Sequence, residues 1–191
     1  MPPRNEAALD FLLTRRSRPA KTLTTPVPDR PALEQLLTAA ARTPDHGKLE
    51  PWRFVVLERT VLQRLAEVVP ARHAALGLPE EQLEKGLAQF RDGGLAVAVI
   101  ESPVMSDKIP AIEQSYSAGA ACLALLNAAL ASGWGANWLT GWPVHDRTFV
   151  ETHLGLAPAE RVAGLVHIGT ETSAPPERPR PDLGRKVTFL E

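Results

Sequence analysis

The sequence contains one cysteine, Cys122, and nearly equal numbers of acidic and basic residues. A single cysteine excludes an internal disulfide and any Cys-x-x-Cys metal or redox motif. The formal net charge of −1 lacks the basic excess with which nucleic-acid-binding proteins attract phosphates. We therefore expect no disulfide framework and no nucleic-acid partner.

Long apolar runs are also absent. No stretch is both long and apolar enough to cross a bilayer, and the N-terminal residues show no signal-peptide pattern. Hydrophobic residues make up 44% and charged residues 23% of the 191 residues, which is typical of a globular protein with one sizeable core. We expect a cytoplasmic protein with no membrane partner, organised as a single domain over residues 1–191.

The spacing of apolar residues predicts a chain that alternates between helices and short strands. The predicted helices are one that ends near Thr14, one capped by Asp29, one capped by Thr60, one over 80–90, one over about 110–132 that Gly133 caps, and a short one over 146–153. The predicted strands span residues 54–57, 95–100, 137–139 and 161–168. Because long helices separate most of the strands, hairpin pairing is excluded for most of the sheet. We predict an α+β fold with a mixed sheet covered by helices.

The predicted helix over 110–132 is the longest and is very rich in alanine. Small side chains on several of its faces indicate close packing on more than one side. The helix is therefore interpreted as a central core helix, or as a helix shared with the partner in a homodimer. The two interpretations are compatible.

Two short polar segments carry the candidate anion-binding groups. Arg15, Arg16 and Ser17 follow the first predicted helix, and two guanidinium groups with a hydroxyl suit a phosphomonoester. Arg42 and His46 lie just before the first predicted strand, where scaffolds commonly present ligand-binding groups. Taken alone, the segments are more simply explained as a solvated basic helix end and a charged surface loop. Because no acid–base dyad stands beside them, they suggest an anionic cofactor rather than hydrolytic chemistry.

The glycine-rich turn after the long helix is a second kind of candidate. Gly133-Trp134-Gly135 begins a near match to the G-x-G-x-x-G fingerprint, but the third glycine is missing and the motif follows a helix, so the Rossmann mechanism does not apply. Such a tight turn is better suited to lay the backbone of Trp138, Leu139 and Thr140 against a flat ligand.

Other reactive groups do not form a recognisable site. No G-x-S-x-G elbow is present to supply a serine nucleophile for His46. Cys122 stands among alanines and is interpreted as a small buried hydrophobe. The remaining histidines show no metal-ligand spacing, so we predict no metal site.

Taken in order, these segments resemble the FMN-dependent nitroreductase family, and in particular its shorter NAD(P)H nitroreductases. The resemblance extends from about Ala8 to Val187. Many family members carry Ser-Ser and then Asn or Gln before Pro-Trp, whereas this chain has Pro-Asp-His-Gly-Lys, as in the short subgroup. The matching segments are Arg15-Arg16-Ser17, Ala41-Arg42-Thr43-Pro44-Asp45-His46, Pro51-Trp52-Arg53-Phe54, the alanine-rich helix with Gly133-Trp134-Gly135, Trp138-Leu139-Thr140 and residues 164–170.

The resemblance implies a three-layer fold and a homodimer with two FMN sites in its interface. In such proteins the Arg-Arg-Ser element binds flavin from one subunit, and the loop before Pro-Trp reaches in from the other. Arg15, Arg16 and Ser17 would hold the phosphate, the ribityl chain and the pyrimidine edge of the ring. Arg42 and His46 would complete the site from the partner.

Further residues of the implied flavin site come from the second half of the chain. Trp138, Leu139 and Thr140 would line the ring on its inner side. One of Arg178 and Arg180 would add a cation near the phosphate. Prolines cluster over residues 174–181, so residues 174–191 are expected to form an extended C-terminal arm that packs on the partner or frays in solvent.

The implied activity is hydride transfer from NAD(P)H through FMN to a nitroaromatic, a quinone or a similar small acceptor, with ping-pong kinetics. The flavin performs the chemistry, so no catalytic side chain is predicted. A flavin-binding carrier with little turnover is the alternative from another class. A structural protein that has lost flavin is a third, which the intact Arg15, Ser17, Arg42 and His46 disfavour.

Overall fold

A computed structural model describes residues 3–190 of the chain. Within that range the α-helices are α1 (Glu6–Thr14), α2 (Arg30–Ala40), α3 (Arg59–Leu76), α4 (Glu80–Arg91), α5 (Ala111–Ala131), α6 (Trp142–His145) and α7 (Arg147–Leu154). Short 3-10 helices occupy Ala20–Thr22, His46–Lys48 and Leu183–Arg185. The β-strands are β1 (Leu23–Thr24), β2 (Trp52–Glu58), β3 (Leu95–Glu101), β4 (Gly135–Leu139) and β5 (Arg161–Glu171).

The strands form one sheet around β5. His167 of β5 lies opposite Ala96 of β3 and opposite Asn137 of β4, so β3 and β4 flank β5 on opposite sides. β1 pairs with the end of β5, where Thr24 lies opposite Thr170. β2 pairs with β3 and forms an edge of the sheet. All four strand pairings among residues 3–190 are antiparallel.

Both faces of the sheet are buried. Side chains alternate between the two faces along each strand, so one strand contributes to two cores. Ala96, Ala98 and Leu165 face a core formed with α3, α4, α6 and α7. Val97 and Val166 face a second core formed with α2 and α5. β3 is buried along its whole length, as expected for a strand covered on both sides. The fold is therefore three-layered, with helices on each side of a central sheet.

The predicted α+β class with a helix-covered sheet is confirmed, but the prediction of a mixed sheet is wrong among the described residues. Two consecutive helices, α3 and α4, connect β2 to β3 and pack against each other. The first helix carries the chain back along the sheet and the second returns it, so β3 enters antiparallel to β2. Long connections therefore do not require parallel pairing.

The predicted helices and strands are found near their expected positions, with small corrections at their ends. Asp29 caps α2 as predicted, its side chain accepting from the Ala32 N–H at 3.0 Å. Thr60 does not cap α3, because β2 runs directly to Glu58, which occupies the N-cap position. α5 ends at Ala131, and Gly133 ends it as predicted, with φ of 83° and its N–H donating to the Leu130 carbonyl at 3.1 Å. β1 and α6 were missed because they are too short for a periodic pattern.

A buried carboxylate ties the start of β5 to β2. Arg53 donates two hydrogen bonds of 2.7 Å to Glu160, which also accepts from the Ser102 hydroxyl and the Ala157 N–H at 2.8 Å. These donors, Arg53 foremost, lower the pKa of Glu160 to about 2 despite its burial. The ionised carboxylate is therefore the form that the fold stabilises.

Replacing Glu160 with glutamine is expected to lower the free energy of unfolding by about 1–3 kcal/mol near neutral pH, because charge-assisted hydrogen bonds are lost. The folded-state pKa is depressed, so the contribution is complete above the pKa of an unfolded glutamate and is lost as the pH falls through about 2. Urea unfolding at several pH values measures this. Glu34→Gln, in the exposed Arg30–Glu34 pair, is the control and should change stability by less than about 0.5 kcal/mol. A Glu160→Gln deficit that does not shrink in acid would contradict the assignment.

Candidate active site

Four arginines converge where α1 ends. Arg15 is the C-cap residue of α1, and its Nη2 donates to the Ser17 hydroxyl at 3.0 Å. Burial, and then the nearby charges of Arg180, Arg16 and Arg18, lower the pKa of Arg15. Its Nε is buried and has no hydrogen-bond partner among residues 3–190. A buried guanidinium donor surrounded by like charges is a natural place for an anion.

The other three arginines of this cluster already have acidic partners. Arg18 pairs with Glu171 at 2.7 Å, and Arg180 pairs with Glu177 at 2.8 Å. Arg16 lies 3.6 Å from the Glu177 carboxylate and donates to the Pro176 carbonyl at 2.9 Å. No carboxylate within the described chain pairs with Arg15, so its charge is the least compensated.

Of the two predicted C-terminal arginines, the structure places Arg180 in this cluster. Arg180 is close enough to lower the pKa of Arg15, whereas Arg178 is exposed and makes no ion pair within residues 3–190. Arg15, Arg16 and Ser17 therefore meet Arg180 in one chain, as the prediction of a phosphate end requires. The arginine cluster is defined as Arg15, Arg16, Arg18 and Arg180.

The start of β4 holds the arginine cluster in place. The Arg18 N–H donates to the Ala136 carbonyl, and the Asn137 side chain donates to the Arg18 carbonyl, both at 2.8 Å. Further along β4, Trp138 covers Gly164, where an added Cβ would overlap the indole. Leu139 is half-buried, and Thr140 is exposed beyond the strand end. The strand thus leads from the cluster to Leu139.

A small polar cavity of about 130 Å³ lies beside Leu139. Lys85 and Gln89 of α4 line it together with His167 of β5, and Lys21 and Asp92 lie at the same cavity. Gln89 Oε1 and His167 Nε2 are buried and have no hydrogen-bond partner among the described residues. Burial lowers the pKa of His167 to about 4, so the imidazole is neutral near pH 7.

Sequence reasoning missed these cavity residues. Lys85 and Gln89 lie four residues apart on α4, which places them on one helix face, and that spacing was the available signal. His167 gave none, because a histidine in a buried strand is indistinguishable in sequence from a residue of the core. The cavity exists only because α4 packs beside β4 and β5.

The Arg42–His46 segment lies elsewhere, against α5. His46 Nδ1 is 2.7 Å from an Oε2 oxygen of Glu113, in the first turn of α5. The expectation that no acid–base dyad stands beside the cationic segments is therefore wrong. Glu113 is 67 residues away in sequence, and only the packing of this loop on α5 brings the two groups together.

Two open cavities follow this face of α5. One, of about 360 Å³, lies beside His46, Glu113 and Tyr116. The other, of about 290 Å³, lies beside Arg42 and Asn127, whose Oδ1 is buried without a partner among residues 3–190. No hydrogen bond or ion pair in the described chain joins this face to the arginine cluster. The predicted site residues thus form two separate groups within one chain.

Several apolar side chains are exposed around both groups. α1 buries no residue, and Leu12 and Leu13 are largely exposed. Ile112, Tyr116 and Leu123 are exposed on α5, and Phe189 and Leu190 on the C-terminal segment are 86% and 94% exposed. The alanine-rich helix is therefore partly buried in the core and partly open, as its two interpretations allow.

A larger cavity, of about 630 Å³, does not coincide with either group of predicted residues. It lies between the start of α2 and the β2–α3 junction. Its two arginines are already engaged, since Arg30 pairs with Glu34 and Arg59 donates to two backbone carbonyls. It offers no unpaired buried polar group among those found in residues 3–190.

The other reactive groups have structural surroundings. Cys122 is buried on the inner face of α5, and burial raises its pKa to about 12, so the interpretation as a small buried hydrophobe is confirmed. Within residues 3–190, no group of three or more histidine, cysteine, aspartate or glutamate side chains is placed to hold a metal ion. None of the helices in that range is long and apolar enough to span a membrane.

Comparison with known proteins agrees with this architecture. A profile of the nitroreductase family matches residues 12–170, and the chain belongs to that family. The "Putative NAD(P)H nitroreductase" of Haemophilus influenzae is 37% identical over 165 residues, which cover 85% of this chain and 88% of that protein. YdjA of Escherichia coli K12, which carries the same name, is 32% identical over 164 residues, covering 85% of this chain and 87% of YdjA.

Solved structures show the same fold at lower identity. A nitroreductase-like family protein from Bacillus cereus superimposes with a TM-score of 0.79 at 21% identity, covering 100% of this chain and 99% of that one. A nitroreductase with bound FMN from Bacteroides fragilis gives a TM-score of 0.75 at 22% identity, covering 98% of this chain and 100% of that one. The nitroreductase-like fold predicted from the resemblance is confirmed.

Inorganic phosphate is expected to bind the arginine cluster and stabilise the protein. At about ten times its Kd it should contribute roughly 1.4 kcal/mol, which raises the melting temperature by about 3–6 °C. Arg15→Gln should abolish most of that increase. Arg64→Gln, at an exposed position of α3, is the matched control and should retain it. Thermal unfolding with and without phosphate measures the shift in melting temperature. Equal shifts in the wild type and both variants would show that phosphate binds elsewhere.

Proposed function

We propose that this chain is an FMN-dependent oxidoreductase that takes hydride from NAD(P)H and delivers it to a nitroaromatic, a quinone or a similar small acceptor. The observation that carries the proposal is the arginine cluster at one end of β4 with the polar cavity at the other end. Ala136 and Leu139 are three positions apart on β4, so the two features lie on the order of 10 Å apart along the strand. A ligand with an anionic group at one end and a polar ring edge at the other suits that spacing.

The residues fit FMN in charge and hydrogen bonding. Arg15, Arg16, Ser17 and Arg180 would hold the phosphate and the adjacent chain, where the Nε of Arg15 has no hydrogen-bond partner among residues 3–190. Trp138, Leu139 and Thr140 would line the inner face of the ring. This assignment is supported by family membership and by the FMN bound to the related Bacteroides fragilis nitroreductase.

The cavity beside Leu139 would take the polar edge of the ring. Gln89 Oε1 is a free acceptor for an imide N–H, and His167 Nε2 can donate to a carbonyl oxygen. Lys85 and Lys21 supply positive charge at the same cavity, and the Asp92 carboxylate that also lines it is paired with Arg91. FMN, when bound, would supply the hydride transfer, and these cations would stabilise the negative charge that reduction places on the ring edge.

We further propose that two chains form a homodimer and that Arg42 and His46 of the second copy complete each site. The support is the separation of the two residue groups within one chain and the exposed apolar side chains on α1, α5 and the C-terminal segment. Residues 174–191 would act as an arm that packs on the partner, since Phe189 and Leu190 are almost fully exposed. One domain over residues 1–191 and a cytoplasmic location remain predictions.

The visible absorption spectrum tests the proposed function directly. The purified protein with added FMN is expected to show a protein-bound oxidised flavin that bleaches with NADH or NADPH in the absence of oxygen. Steady-state kinetics with a quinone should then give the parallel double-reciprocal lines of a ping-pong mechanism. Bound flavin that resists both nicotinamides would instead favour a low-turnover carrier. No flavin binding would refute both.

Removing residues 174–191 tests the arm. We expect the shortened chain to dimerise more weakly and to bind FMN more weakly, because it loses both Arg180 and the exposed apolar residues of the arm. Analytical ultracentrifugation and flavin titration measure the two effects. Arg180→Gln in the full-length chain is the control, which should weaken FMN binding about 10-fold and leave dimerisation unchanged. A truncated chain that keeps full dimer and flavin affinity would refute the role of the arm.

A further inference from the structure

The loop that carries His46 is held in a conformation that most residues avoid. Gly47, Lys48 and Glu50 have φ angles of 74°, 56° and 48°. Positive φ is common for glycine but uncommon for lysine and glutamate. Two such non-glycine residues within three positions are a cost that the surrounding structure must offset, and strained backbone of this kind concentrates at functional sites.

Several contacts fix this loop to α5. The Ser117 hydroxyl donates to the Pro44 carbonyl at 2.9 Å and accepts from the Trp52 indole N–H at 3.0 Å. Within the loop, the Glu50 N–H donates to the Asp45 carboxylate at 2.9 Å. The side chain of Ile109 fills the space that a side chain at residue 47 would need. These contacts hold the loop in one conformation, which fixes the position of one exposed side chain.

That side chain is His46, which is 61% exposed and faces the open cavity beside Tyr116. Its Nδ1 contacts the Glu113 carboxylate at 2.7 Å. When the imidazole carries both protons, Glu113 retains the one on Nδ1. The proton on Nε2 is then the one available for transfer. A carboxylate in this position orients the ring.

We propose that His46, positioned by Glu113, donates the proton that accompanies hydride transfer to the acceptor. This rests on the proposed function, which supplies the hydride and places His46 of one copy beside the flavin of the other. A quinone that receives a hydride on oxygen becomes a hydroquinone monoanion. The Nε2 proton moves to its second oxygen and completes the hydroquinone, and the neutral imidazole regains a proton from water.

The oxidative half-reaction tests this step separately from the rest of the cycle. Wild-type enzyme and variants, saturated with FMN and reduced anaerobically with dithionite, are mixed with p-benzoquinone or with ferricyanide, and flavin reoxidation is followed. Ferricyanide takes electrons only and needs no proton. His46→Ala and His46→Gln should slow the quinone reaction about 100-fold and leave the ferricyanide reaction within about 2-fold of wild type.

Two further comparisons separate proton donation from a structural role. Free imidazole should restore part of the quinone rate to His46→Ala. With His46 intact, Glu113→Gln should lower the rate of flavin reoxidation by quinone about 10-fold, because the His46 ring loses its charged partner and keeps its own proton. His145→Ala, at an exposed histidine of α6 outside the site, should have no effect.

The outcomes distinguish this inference from the function on which it rests. Equal slowing with quinone and ferricyanide, without rescue by imidazole, would show that His46 only holds the cofactor or the partner, and would overturn the inference. An unchanged quinone rate in both His46 variants would overturn it as well. Because dithionite replaces NADH, failure of the nicotinamide reaction refutes the proposed function without affecting this test, whereas absence of flavin binding refutes both.

Discussion

The burial of β5 on both faces is the constraint on which the rest of the structure depends. Leu165 packs into the core formed with α3, α4, α6 and α7, while Val166 and Ile168 pack into the core formed with α2 and α5. Neither helical layer can be removed without exposing one side of this strand to water. β3, β4 and β1 all pair with β5, so its position also sets theirs. The segments that carry the candidate site residues begin or end at the strands of this sheet.

Charge is the second organising feature. Four guanidinium groups near one helix end repel one another, and acidic residues offset three of them in the described chain. The incomplete compensation of Arg15 makes the cluster receptive to an anion. His167 shows the converse effect, because burial keeps its ring neutral beside the cations of the cavity. A neutral donor there adds hydrogen bonding without adding repulsion.

The helix α5 joins the core of the sheet to the Arg42–His46 segment. Its inner face, including Cys122, packs on the sheet, and its outer face supports the strained loop through Ser117 and Glu113. Small side chains allow close approach on both faces, which explains why its alanine content supported two interpretations at once. Opposite sides of one helix thus fill the core and support the Arg42–His46 segment.

The sequence by itself determined the features that depend on local spacing. Periodic apolar residues and caps such as Asp29 predicted most helices and strands, and the cationic segments around Arg15 and Arg42 were visible as short motifs. Local spacing did not determine the direction of the strands, because that direction depends on the α3–α4 pair, which returns the chain before β3. The choice of Arg180 over Arg178, the meeting of His46 with Glu113, and the cavity beside Leu139 also required the tertiary structure. Each arises from groups distant in sequence that approach only when helices and loops pack on the sheet, and no local pattern encodes that packing.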